Sequence, residues 1–210
     1  MDKLKTIELI KNEWFYLPET QFFHATNGEK AAQITEVKLK ADSQFLYIEF
    51  VCKNNPFVNQ NSYTAHNSEM YNQEVFELFI ANGKDIPKKY LEIEINPNNA
   101  LFVAWVENNS GERPDKLLFI DQPNSGIIHG IQKNIDSWNG FMNIPIELIA
   151  PKSNTYRLNF YRIISKISNE NPDWRCDENN CDFICWSPTM SGDIPAFHRP
   201  TAFGQLSLKF

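Results

Sequence analysis

Basic residues are in deficit: 20 Lys plus Arg stand against 26 Asp plus Glu, a formal net charge of −6 at pH 7. A chain with that balance has no basic face to release phosphate counterions, which argues against nucleic acid and anionic membranes as partners. Glycine is scarce, with 8 residues, so there is little material for a phosphate-cradling loop. Neither a nucleophile elbow nor a His-Glu-x-x-His helix occurs. Long hydrophobic runs are missing as well: Phe45–Ile48 and Leu101–Trp105 stop far short of a membrane span. The opening residues, Met1 to Thr6, lack the basic, apolar and small-residue regions of a secretory signal. The expectation is therefore a cytoplasmic chain, extracellular only if a leader has been trimmed. Four cysteines, at 52, 176, 181 and 185, are too few for a disulfide scaffold, and reduced thiols are expected.

What is present is a core-forming fraction of 42% apolar residues, distributed in short alternating segments. In Tyr90–Asn96, Leu91, Ile93 and Ile95 share one face while Glu92 and Glu94 share the other, which reads as a half-buried strand with its glutamates toward water. Phe203–Phe210 repeats the pattern, with Leu206, Leu208 and Phe210 inward. Further strands are expected at Ile34–Lys40, Phe45–Cys52, Glu74–Ala81, Leu101–Glu107, Ile127–Ile135, Trp138–Ile144 and Tyr156–Ser165, all rich in aromatic and β-branched residues. One short helical turn is expected after Pro145, ending at Pro151. Nine or so strands with scarcely a helix indicate an all-β protein, an antiparallel β-sandwich or jelly roll, in a single domain spanning residues 1–210. Three long connections, Lys53–Gln73, Asn108–Gly126 and Ile167–Ala202 around a short strand, are expected to gather at the ends of the sandwich and frame a site.

The ordered segments Thr35-Glu36-Val37-Lys38-Leu39, Leu46-Tyr47-Ile48-Glu49-Phe50, Glu74-Val75-Phe76-Glu77-Leu78-Phe79-Ile80, Ile144-Pro145, Leu158-Asn159-Phe160-Tyr161-Arg162, Cys185-Trp186-Ser187-Pro188 and Phe197-His198-Arg199-Pro200-Thr201-Ala202-Phe203-Gly204 resemble carbohydrate-binding module family 9 and its bacterial family-9-like relatives. The resemblance runs from about residue 30 to the C-terminus. It implies a β-sandwich that binds sugars without catalysis, often appended to a xylanase and sometimes holding structural calcium. The family's pocket clamps a pyranose between two indoles, and its charged and amide groups grip vicinal hydroxyls. Carried over by motif, the clamp positions fall on Tyr71 and Phe197, the carboxylate falls on Glu77, and Glu74 stands near it in place of the usual Asp. Both rings are smaller than indole. The family's arginine on the following strand lands on Glu92, reversing the charge, and Arg162 is the candidate to replace it. His198 is placed to donate to a sugar hydroxyl or to hold its loop. Trp186 belongs either to the site or to the core of the sandwich.

The same residues offer other chemistries. A glycosidase needs two carboxylates flanking the scissile bond, and Glu92 and Glu94, about 7 Å apart on one strand face, meet that crude requirement, although a water-facing strand shows the same pair. Cys176, Cys181 and Cys185, with His198 beyond, offer soft ligands for zinc, but the spacing lacks the Cys-x2-Cys knuckles of structural sites. A local disulfide is the alternative in an oxidising location, and unpaired, partly buried thiols are the default. For calcium, Asp42, Glu69 and Asp85 lie near turns without the density of oxygen ligands the ion needs. The functional expectation is weak binding of a saccharide end or small polyol. The alternative is a cytosolic sandwich that has lost the clamp and binds another metabolite or a protein partner.

Overall fold

The computed structural model describes residues 4–18, 20–149 and 153–209. Phe210, expected inward, and Pro151, expected to end the helical turn, lie outside them. The described residues form fourteen strands. In chain order these are β1 (Thr6–Ile10), β2 (Phe15–Tyr16), β3 (Gln21–His24), β4 (Lys30–Ala41), β5 (Phe45–Cys52), β6 (Val75–Asn82) and β7 (Lys89–Ile95). Then come β8 (Leu101–Glu107), β9 (Lys116–Phe119), β10 (Ile128–Lys133), β11 (Trp138–Pro145), β12 (Thr155–Ser165), β13 (Cys181–Cys185) and β14 (Gly204–Lys209). Two single-turn helices, α1 (Gln122–Ser125) and α2 (Ile146–Ile149), complete the regular structure with three short 3-10 turns. No helix among the described residues is long and apolar enough to cross a membrane.

Every strand expected from alternation is present, and α2 is the expected helical turn. The alternation did not reveal β1, β2, β3 and β9, which are short or lie in polar context. One layer runs in the order β10-β11-β5-β4, and the other β13-β12-β6-β7-β8-β9. Long β4 joins them: its first half pairs with β3, which pairs with β13, and its second half pairs with β5. The pairing is antiparallel except for β1, which lies parallel to β14. The two layers stack through Leu39, Ile48, Phe50, Trp138 and Met142 on one side and Phe76, Leu78, Ile80, Leu158 and Phe160 on the other. Phe50 and Phe76 meet ring on ring at 4.1 Å.

The β6–β8 sheet is not half-buried. From Val75 to Ala81 and from Tyr90 to Ile95 every residue is buried, so both faces are covered. The second face carries Val75, Phe79, Ala81, Tyr90, Phe102, Ala104, Tyr161 and Ile163, a second apolar cluster that Trp174, Phe197 and Phe203 cap from the loops. This corrects two expectations. The connections fold back over the sheet's outer face instead of collecting at the sandwich ends, and Glu92 and Glu94 are buried beneath them instead of facing water.

Two expected site residues belong to the joint between the layers. Arg162 is fully buried and donates to the carbonyls of Ile34 (3.1 Å) and Lys53 (3.3 Å) and to Thr35 Oγ1 (3.3 Å). Its second terminal nitrogen faces Glu74 Oε1 at 3.5 Å. Glu74 also accepts from Trp138 Nε1 (2.7 Å) and Asn55 Nδ2. Both side chains are thus consumed in a buried ion pair that ties β12 and the start of β6 to β4 and β11. Trp186 is core too: it packs on Phe160 and lies so close over Gly204 that a Cβ there would come within 2.5 Å of the indole.

Cys176 and Cys181 form a disulfide, which corrects the expectation of reduced thiols and separates them from Cys185 as metal ligands. Cys52 and Cys185 are free and buried, and burial pushes both thiols up to about 12. Among the described residues no three His, Cys, Asp or Glu side chains converge to hold a metal ion. Asp42, one of the residues weighed for calcium, accepts instead from the backbone of Gln44 and Phe45 and from the Tyr47 hydroxyl.

Removing one partner of a buried ion pair leaves an uncompensated charge. Arg162→Met is expected to lower stability by about 3–5 kcal/mol in urea denaturation, and adding Glu74→Met to recover most of that loss. A loss under about 1 kcal/mol for the single variant would contradict the role given to the pair.

Candidate functional site

The strand register generates the site. Tyr161 on β12 lies opposite Glu77 on β6, Glu77 opposite Glu94 on β7, and Glu94 opposite Phe102 on β8. One row across the outer face thus reads aromatic, acid, acid, aromatic. Adjacent strands lie about 4.8 Å apart, so the row is roughly 14 Å long. In the neighbouring row Phe79 lies opposite Glu92, which brings a third carboxyl to the same floor.

The loops add a ring at each end of the row. Tyr71, on the 3-10 turn Met70–Asn72, meets Phe102 edge to face at 5.9 Å and is 37% exposed. Phe197 stacks on Tyr161 at 4.4 Å with Phe183 against its edge. Between them opens a cavity of about 430 Å³, lined by Glu77 and Glu92 below, Tyr71 and Phe197 at the sides, and His198 with Glu112 and Arg113 at the loops. Tyr71, Glu77, Phe197 and His198, chosen from sequence, therefore converge, whereas Arg162, Glu74 and Trp186 do not reach this cavity. Glu92, which sequence patterning turned toward water, and Arg113, which it did not single out, line it. No local signal marks Arg113; only the fold of the 108–115 connection over the sheet brings it there.

His198 is fixed by a chain of hydrogen bonds. Asn108 Nδ2 donates both to the His198 carbonyl (3.1 Å) and to the Tyr90 hydroxyl (3.3 Å). The Tyr90 hydroxyl in turn shares a hydrogen bond with His198 Nδ1 at 2.7 Å. The imidazole lies flat over Phe79 at 5.0 Å. Burial lowers it to about 4, so it is neutral at pH 7.

The carboxyls move the other way. Burial raises Glu92 to about 8, with a hydrogen bond from Glu94 partly offsetting the rise. Burial first, then the neighbouring glutamates, hold Glu77 and Glu94 well above the usual carboxylate range. Neither Glu94 oxygen has a donor among the described residues, so its contact with Glu92 requires a proton between them. Because His198 is neutral at pH 7, the 3.9 Å approach of its Nε2 to Glu92 Oε1 is not an ion pair there. The floor can donate through protonated carboxyls and accept through whichever is ionised, and the walls offer ring faces. That combination suits a ligand with an apolar face and a polyhydroxylated edge.

No family model matches the sequence. A protein from Arthroderma benhamiae named "Extracellular protein" is 29% identical over 144 residues, covering 62% of this chain and 64% of its own length. The chain thus spans under two thirds of that relative. Among solved structures, a candidate carbohydrate-binding protein from Bacteroides uniformis superposes with a TM-score of 0.70 at 16% identity, over 99% of this chain and 100% of its own. A family 9 carbohydrate-binding module from Caldicellulosiruptor kristjanssonii, solved with glucose, gives 0.57 at 16% identity over 98% and 96%. The same organism's family 9 module with cellotriose gives 0.57 at 15% identity over 98% and 94%. At these identities the likeness establishes a shared fold, and the fold expected from sequence is the one found.

The buried carboxyls and imidazole fix how stability should depend on pH. From about 4.5 to 8 the folded chain holds a proton on Glu92 that the unfolded chain has lost, so stability falls as pH rises. From about 4 to 6.5 the unfolded chain holds a proton on His198 that the folded chain lacks, so stability rises. The two oppose each other up to pH 6.5, and above it only the carboxyl effect remains. Stability is expected to fall between pH 6.5 and 8 by about 1.4 kcal/mol per unit for each extra proton the folded chain holds, and Glu92→Gln to make that fall shallower by one proton's share, Glu77 and Glu94 keeping the rest. Urea midpoints at three pH values read it directly, and a flat or rising wild-type profile would contradict it.

Proposed function

We propose that this chain binds the end of a saccharide, without catalysis, in the cavity between Tyr71 and Phe197. The observation that carries the reading is the row Tyr161–Glu77–Glu94–Phe102, in which an acidic floor two strands wide is closed at each end by a ring that a second aromatic covers. The apolar face of a pyranose packs on Tyr71 or Phe197, and its hydroxyls meet Glu77, Glu92 and the His198 imidazole. Arg113, exposed at the rim, supplies the guanidinium that Arg162 cannot. Fold likeness to family 9 modules solved with glucose and cellotriose supports this reading.

The common direction of the carboxyl shifts supports a non-catalytic reading. A glycosidase needs one carboxyl protonated and a second ionised as nucleophile or base, so two environments must push the pair apart. Here burial pushes Glu77, Glu92 and Glu94 the same way. The Cys176–Cys181 disulfide and the relative named as extracellular support a setting outside the reducing cytosol, in place of the cytoplasmic one expected from the sequence.

A ligand at ten times its dissociation constant adds about 1.4 kcal/mol, which raises the melting temperature of a domain this size by roughly 3–6 °C. Thermal melts with mono- and disaccharides at tens of millimolar are expected to show such a shift for a few sugars. Tyr71→Ala should remove it without changing the melting temperature of the free protein by more than a few degrees. No shift with any sugar would contradict the reading.

A further inference from the structure

Two carboxyls, Glu77 and Glu92, line the floor of the cavity, and a third, Glu94, is buried beside them; among the described residues none of the three pairs with a basic side chain except through the 3.9 Å approach of neutral His198 to Glu92. Glu77 and Glu94 stand directly opposite each other on antiparallel strands, where like charges repel, and Glu92 adjoins both. Glu94 is fully buried and both its oxygens lack a donor, so the site contains acceptor capacity that the protein does not satisfy. The titratable and charged groups facing the cluster are Tyr71 from its 3-10 turn, Tyr90 from β7, Tyr161 from β12, His198 from its loop, and Glu112 and Arg113 at the rim. The cations stand at the rim: Arg113 lines the cavity but is exposed and forms no ion pair with these acids among the described residues, and Arg199 is paired with Glu112 at 3.2 Å. Aromatic faces at Tyr71, Phe197 and Phe79 surround the acids. Ring faces together with carboxylates are the arrangement that attracts an organic ammonium.

Building on the saccharide reading, we infer that the preferred ligand is an amino sugar, whose protonated amine seats against Glu77 and Glu92, with Glu94 buried behind them, while its ring packs between Tyr71 and Phe197. The ammonium donates to the Glu77 and Glu92 carboxyls and holds one of them ionised, so binding releases that carboxyl's proton to solvent. A neutral hexose leaves that proton in place.

Calorimetric titration of the intact chain at pH 7 with glucose, glucosamine and N-acetylglucosamine, in two buffers of different ionisation heat, tests the inference. Glucosamine is expected to bind about tenfold more tightly than either neutral sugar, a difference of about 1.4 kcal/mol, with release of up to one proton. In Glu92→Gln the preference for glucosamine over glucose and the proton release should both be lost, in a protein that still unfolds cooperatively. Equal affinities with no proton release would overturn the amino-sugar assignment and leave saccharide binding standing. Binding of ethanolamine as tight as that of glucosamine would overturn the need for a sugar ring. Heat from none of these sugars would overturn the saccharide reading itself.

Discussion

A sheet that buries both faces needs two different covers, and strands β6, β7, β8 and β12 have them. Their inner face meets a second sheet, a surface of matching pleat and apolar content. Their outer face meets loops, which cannot fill space as evenly as a sheet and leave a cavity of about 430 Å³ above the acids. The same covering removes Glu77, Glu92 and Glu94 from water without supplying a cation. Burial of one face thus makes the core, and incomplete burial of the other makes the site and sets its proton affinity.

The two buried acid systems show how differently the chain treats carboxyls. Glu74 is surrounded by donors from Trp138, Asn55 and Arg162, so it works as a joint between layers and has no capacity left for a ligand. Glu94 has none, and its contact with Glu92 depends on a proton. Leaving such groups unsatisfied costs stability, on the order of 1–3 kcal/mol each, which a structure tolerates where a ligand completes the bonding.

Much of the sandwich was legible from period-two alternation, because the inner-face residues Leu91, Ile93 and Ile95 and their counterparts on β5, β6 and β12 follow it. The convergence of Tyr71, Glu77, Phe197 and His198 came from motif resemblance and from the parity of Glu77 against Phe76 and Leu78. The burial of Glu92 and Glu94 was not legible, since a glutamate beneath a loop and a glutamate in water give the same alternating pattern. Arg162 misled for a related reason: on β12 it alternates with Tyr161 and Ile163, which face the cavity, so it points between the layers. The Cys176–Cys181 pair lay within reach of spacing arguments, but composition favoured free thiols until the 166–180 connection brought the two Cα atoms to 5.4 Å.

The central claim is that Glu77 and Glu92 on the cavity floor and Glu94 buried beside them hold protons above the ordinary carboxylate range because burial is not offset by a paired cation among the described residues. Carbon-13 NMR of the glutamate side-chain carboxyls, assigned through Glu77→Gln, Glu92→Gln and Glu94→Gln, measures this directly across pH 4 to 9. The account predicts that Glu92 titrates near 8 and that Glu77 and Glu94 remain protonated well above the ordinary carboxylate range. Three signals titrating together near 4.5 would mean that the floor is solvated and ionised, and would contradict the account at its base.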